Sequence, residues 1–297
     1  MNLTRLAYFQ LHFAVILYGL TAILGDLISL SAISLVWWRV LITSVSLLFF
    51  INFGRRIITM KRKDIISYIS IGVIVALHWI TFYGAIKYAN ASVALAAMAT
   101  TSLFTAIIEP IITGKAFQKL ELALGLLIIP PMLMIATNLD ISMVKGLIVG
   151  LLSAFLASLF ATYNKKMVSN ADAYQISFLE MSSAFLFISC ALPFVVGAGD
   201  GIQIWPTRQD WLYLIILALG CTTLAYVISL KALRYVSAFD ANLVINLEPV
   251  YGIILAVVIL KEHQEMTPIF YVGLLLIMAV VFMHPILKKR LQNDEAK

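Results

Sequence analysis

Arg39, His78 and Glu248 stand inside stretches of the chain that are otherwise almost wholly apolar. A guanidinium does not give up its proton in a protein, so a buried one demands an anion. An imidazole changes charge with small changes of surroundings near neutral pH. A carboxylate can serve as counter-ion or as proton carrier. Helical rise, about 1.5 Å per residue, brings these three groups to a similar depth in their runs. His12 and Glu180 share a second level, and Glu109 lies toward the end of its run. The chemistry on offer is ion pairing and proton exchange: Arg39 needs an anion, from Glu248 or from a carboxylate that is not part of the chain. A rival assignment makes His12 or His78 an acid–base partner of Glu180, as an intramembrane enzyme would.

The surroundings of these groups are also polar. Glu248 sits in LVINLEPVYGIIL (243–255), where Pro249 lacks an N–H and leaves the carbonyl of Ile245 without its helical donor. Asn242 and Asn246, four residues apart, share a face with that carbonyl and form a polar notch. Glu109–Pro110 repeats the pairing of acid and proline, so Pro249 and Pro110 are both candidate hinges. The segment HWITFY (78–83) stacks His78 on Phe82 and Trp79 on Tyr83 at helical spacing, one face offering an imidazole beside aromatic rings. Arg39, His78, Trp79, Tyr83, Asn242, Asn246 and Glu248 are the candidate binding residues, with Glu180, His12 and Glu109 as candidates for coupling.

These residues need elements to hold them. Of 297 residues, 62% are hydrophobic and 12% charged, against about 25% charged in a soluble domain, so lipid is the solvent. Apolar runs long enough to cross it lie at about 6–25, 32–53, 65–86, 91–113, 122–139, 143–163, 174–196, 211–230, 240–260 and 266–287. None alternates with period two, which excludes a membrane β-barrel. The predicted class is an all-α integral membrane protein of ten spans. Sixteen of the 21 Lys and Arg residues collect on one side if the N-terminus is cytoplasmic, against four on the other. The expected arrangement therefore has both termini in the cytoplasm of a bacterial inner membrane. The net charge of +6 resides in these connections and does not point to nucleic acid. The run after Arg5 reads as a retained first span, not a signal peptide. Cys190 and Cys221 lie in apolar runs and offer no metal site.

The chain also repeats. AIKYANAS (85–92) matches ALRYVSAF (232–239) at an offset of 147 residues, and at that offset TSLF (101–104) meets EPVY (248–251) and Gly114–Lys115 meets Lys261–Glu262. Earlier, Tyr18–Gly19 meets Phe160–Ala161, and Trp37–Trp38–Arg39 meets Phe178–Leu179–Glu180. Each half holds five spans. Five is odd, so the second copy must be inverted, as in many secondary transporters with a midplane site. The units are 1–140 (spans 1–5) and 141–290 (spans 6–10), with a cytoplasmic tail at 291–297.

On these duplicated halves, the A-(I/L)-(K/R)-Y stretch opening spans 4 and 9, the proline of span 9 and Lys261–Glu262 (where Gly-Glu is common), the chain resembles the drug/metabolite transporter superfamily and its ten-helix EamA-like exporters. It departs from the family at Ser102, where proline is common, and at Lys115, where glutamate is usual. The resemblance implies a carrier without ATP for small metabolites or amphipathic compounds. No phosphate-binding G-x-x-x-x-G-K-[ST] loop occurs, and no cofactor is expected. The expected partners are a small-molecule substrate and membrane lipid, with a monomer compatible with the sequence and no nucleic acid. Arg39 is then expected to alternate between Glu248 and the carboxylate of a solute such as an amino acid. A passive channel is the other alternative.

Overall fold

The computed structural model describes residues 3–51, 60–114, 116–198, 202–236, 244–245 and 247–295. Lys115, Asn242 and Asn246 therefore lie outside the described residues. What is described is helical, with no strand among those residues. Seven apolar stretches are long enough to cross a bilayer and three shorter ones complete the set of ten. Span 1 is Leu3–Leu27, span 2 Ala32–Leu48 and span 3 Arg62–Tyr88. Span 4 is split into Ala91–Met98 and Thr101–Thr113, and span 5 into Lys119–Leu126 and Ile129–Thr137, whose second piece starts on Pro130–Pro131. Spans 6 and 7 are Ile141–Met167 and Ala173–Ala198. Span 8 runs Arg208–Ala232 with a π-helical middle, Ile216–Leu224. The described part of span 9 comprises helical residues 244–245 and the helix Glu248–Leu255 with a π turn at Ala256–Leu260, and span 10 is Pro268–Glu295.

The helix starts follow from capping residues. Ser31, Asn90 and Asp140 each accept a backbone N–H of the first turn that follows, and Thr207 with Asp210 forms a reciprocal capping box at span 8. Large apolar side chains such as Ile141, Phe9, Phe194 and Leu275 are more than half exposed, which places the outer belt of the bundle against lipid. The small-residue run of span 4 is central: all eight residues of Ala91–Met98 are buried.

The packing has the symmetry of an inverted repeat. Span 3 lies along span 6 and span 1 along span 8; span 4 lies along span 6 and span 1 along span 9; spans 2 and 7, and spans 5 and 10, pair with each other. The local devices repeat as well. Lys87 donates to the carbonyls of Ile28 (2.5 Å) and Asp26 (3.3 Å), at the end of span 1. Arg234, its match at offset 147, donates to the carbonyl of Ala171 between spans 6 and 7. Gly114 and Lys261, also 147 apart, both adopt the left-handed backbone, at φ 72° and 59°. Several crossings are so tight that a Cβ has no room. A methyl on Gly72 would come within 2.2 Å of the Glu180 carbonyl, and one on Gly19 within 2.9 Å of the Gly252 nitrogen.

Candidate functional site

Span 2 carries Arg39 into the middle of the bundle, where it is only 2% exposed. Its Nε donates to Thr222 Oγ1 (2.7 Å) and its Nη1 to the Tyr83 hydroxyl (2.7 Å), while the guanidinium stacks 3.7 Å above the Trp79 ring. The π-helical stretch of span 8 shapes this contact: Thr222 Oγ1 also donates to the carbonyl five residues back, Leu217 (2.7 Å). All three partners of Arg39 are electrically neutral. Among the described residues no ion pair joins it to Glu248.

Arg39 and Glu248 nevertheless line one cavity of about 430 Å³, together with His78, Trp79, Tyr18 and Phe160. That is within the size range of small-ligand pockets. The cavity extends along Thr101, Thr105 and Glu109 of span 4 to Gln118 and Glu121 between spans 4 and 5. Its lining includes none of Ser29, Lys87, Asp210 or Glu262 at the opposite end. There the helix ends are stitched together. Asp210 accepts the Ser29 N–H (2.8 Å) and hydroxyl (2.7 Å), and the Trp38 indole donates to Ile204 (2.8 Å). Glu262 accepts the first two amides of span 4, Ala91 (2.9 Å) and Ser92 (2.8 Å). Burial pushes the Glu262 carboxyl above the usual range, and its bonds to Ser92 and Ala91 offset this only in part.

The other expected residues fall into distinct settings. His78 is buried with Nδ1 2.8 Å from the Ser153 hydroxyl and 3.0 Å from the Ser153 carbonyl. Its ring sits 5.3 Å from that of Phe160. Trp79 faces the cavity, whereas Tyr83 is fully buried behind Arg39 and does not line it. Glu109 and Pro110 line the cavity and His12, half-buried on span 1, does not. Pro110 lies inside the second piece of span 4. Pro249 falls in the first turn of the helix piece Glu248–Leu255, where a missing N–H costs nothing.

Glu180 is fully buried behind the cavity wall, not in it. The Tyr226 hydroxyl donates to its Oε2, and the Asn164 side-chain amide donates to the same atom (3.4 Å) and to the Tyr226 oxygen (2.8 Å). Tyr226 and Asn164 themselves line the cavity, and next along span 8 Ser229 bonds the Tyr18 hydroxyl (2.8 Å). Thr222, Tyr226, Ser229 and Asn164 were not among the residues the sequence singled out. Hydroxyls and amides in apolar helices carry little signal, because they can satisfy themselves on their own backbone. Tyr226 had one pointer, since it is the offset-147 match of Trp79.

The family model of the EamA-like transporter family matches the chain twice, over residues 5–137 and 144–284. A solved structure titled only "Crystal structure of protein" superposes with a TM-score of 0.66 at 14% identity, covering 96% of this chain and 98% of that chain; it establishes the likeness of fold. No curated protein matches the sequence significantly. With both of its inverted halves matched, this chain belongs to the EamA-like transporter family and is a multi-pass membrane protein of the drug/metabolite type.

Proposed function

We propose that the protein is a secondary carrier that exports small organic solutes bearing a carboxylate, amino acids among them, by alternating access. The observation that carries this reading is the setting of Arg39. A buried cation whose partners are all neutral, at the wall of a cavity, lacks the anion that its burial calls for. A solute carboxylate is a match for the guanidinium fork. Glu248 across the same cavity suits the ammonium of a zwitterion, and the Trp79 and Phe160 rings suit its apolar part. In the absence of a solute Glu248 supplies the compensating charge at longer range.

The bias of Lys and Arg supports a bacterial inner membrane with both termini in the cytoplasm. In that orientation the cavity reaches toward the cytoplasm and the Asp210–Ser29 end faces outward, as suits loading for export. The test is efflux of a panel of labelled amino acids and other carboxylates from cells with the chain, without it, and with Arg39→Met. Faster efflux of one class that Arg39→Met abolishes is the expected result. Equal efflux from all three strains, or conversion of a solute into a new compound, would sink the reading.

A further inference from the structure

Glu180 is a carboxylate 0% exposed to solvent. Its Oε2 is occupied by Tyr226 and Asn164, but its Oε1 is buried without a hydrogen-bond partner. Two neighbouring oxygens share that condition. Ser177 Oγ, one turn earlier on span 7, and Asn164 Oδ1, on the amide that bonds Glu180, are also buried and unpartnered. Among the described residues no basic side chain compensates the carboxylate. From span 8 it is faced by Tyr226, from span 6 by Asn164 and from span 3 by Tyr68, whose hydroxyl is turned to the Met167 carbonyl (2.9 Å). The cation of span 2, Arg39, is held by Thr222 and Tyr83.

An ionised carboxylate with an empty oxygen in such surroundings carries a large desolvation cost. The positive charge that relieves it is a proton or a bare cation. Hard cations are held by about six or more oxygens, and among the described residues the buried oxygens left without a partner on Glu180, on Asn164 that bonds it and on Ser177 one turn away number three. The count favours the proton.

We propose that Glu180 is the proton-binding site of the carrier, holding its proton on Oε1, with Tyr226 and Asn164 as the wall through which the proton exchanges with the cavity. One helical turn of span 8 links it to Arg39: Thr222 holds the arginine and Tyr226 the glutamate. In the duplicated sequence Glu180 is the counterpart of Arg39. The pair thus puts a fixed cation in one half and a carboxylate that exchanges its proton in the other.

The coupling role rests on the carrier reading; the site itself does not, and two measurements separate them. The first is infrared titration of the full chain in sodium-free lipid vesicles. The carbonyl-stretch band of a protonated buried carboxyl is expected in the wild type, absent in Glu180→Gln, and shifted in Tyr226→Phe, which removes the donor to Oε2. Loss of no band in Glu180→Gln overturns the proposal. So does collapse of the band when sodium is added at constant pH, which would make the site an alkali-cation site.

The second measurement is uptake of labelled L-phenylalanine into the same vesicles with and without a pH gradient. The ratio of the two rates is expected to exceed one in the wild type and to fall to one in Glu180→Gln, whatever the absolute rates. A ratio unchanged by the substitution overturns the coupling role. A wild type that moves no labelled carboxylate of any kind overturns the carrier reading and leaves the infrared result to judge Glu180.

Discussion

Arg39 and Glu180 grip the same face of one helix, one turn apart. Thr222 takes the Nε of Arg39 and Tyr226 donates to Glu180 Oε2, and four residues separate Thr222 from Tyr226. A side chain from span 2 and another from span 7 are therefore tied to span 8 within a rise of about 6 Å. A shift of span 8 changes both contacts together.

The geometry around Arg39 depends on a planar fork and not on charge alone. Lysine at position 39 keeps the charge but cannot donate to Thr222 and Tyr83 at once while stacking on Trp79. Loss of one charge-assisted hydrogen bond is about 1.5–3 kcal/mol, or roughly ten- to a hundredfold in a rate or affinity. Arg39→Lys should therefore lower the efflux of the transported solute at least tenfold with membrane insertion unchanged. Efflux within twofold of wild type would show that charge suffices.

Gly72 is where span 3 meets the backbone of span 7. An added methyl would collide with the Glu180 carbonyl and with Ser183 Oγ, 2.0 Å away. Gly72→Ala should cost about 1–3 kcal/mol, read as a lower unfolding temperature in detergent. Gly197→Ala, inside the helix of span 7 where nothing lies within 4 Å, is the control and should be neutral to stabilising by up to about 1 kcal/mol.

Lys261 occupies a left-handed backbone position at φ 59° that its repeat partner, Gly114, fills with glycine. A non-glycine residue there costs roughly 1–2 kcal/mol. Lys261→Gly should raise the unfolding temperature, by a gain near 1 kcal/mol once the added freedom of the unfolded chain is offset. A decrease would mean that the lysine side chain itself stabilises the turn.

Glu262 caps span 4 from the connection between spans 9 and 10. Glu262→Ala leaves two amides without an acceptor and should cost about 1–2 kcal/mol. The pH dependence has a definite sign. Burial raises the folded-state carboxyl above its unfolded value, so the folded protein binds this proton more tightly. This contribution to stability is present below the ordinary carboxylate value and is lost as pH rises through the raised one. On acidification from neutral pH the wild type should gain stability relative to Glu262→Gln; a parallel course of the two unfolding temperatures would refute the assignment.

Much of the fold was legible because the two strongest signals are long. Ten apolar runs and a 147-residue offset fix the class, the count and the inversion, and the cations at 87 and 234 that drew attention in the sequence turn out to hold equivalent carbonyls. The site was legible only at its charges. Depth along a run places Arg39, His78 and Glu248 at one cavity, yet it says nothing about rotation, and so the hydrogen-bond partners that hold Arg39, Thr222 and Tyr83, were not legible as such. Trp79 and Tyr83 share a helix face, yet Trp79 faces the cavity while Tyr83, one turn on, lies behind Arg39. Of span 9, the described part shows a helix piece beginning at Glu248 with Pro249 in its first turn, just after the helical pair Val244 and Ile245; the hydropathy of the run does not mark this division.

The two long crossings that duplication makes equivalent are finished differently. Span 1 meets span 9 where Gly19 and Gly252 bring bare backbone to bare backbone, whereas span 4 meets span 6 through Thr105 and Ser158, whose hydroxyls bond each other (3.0 Å). Gly150 brings span 6 comparably close to Ala97 of span 4, so both joints are built on small residues and the span 4–span 6 joint carries a hydroxyl bond in addition. Any sliding of spans 4 and 6 past each other has to break that bond.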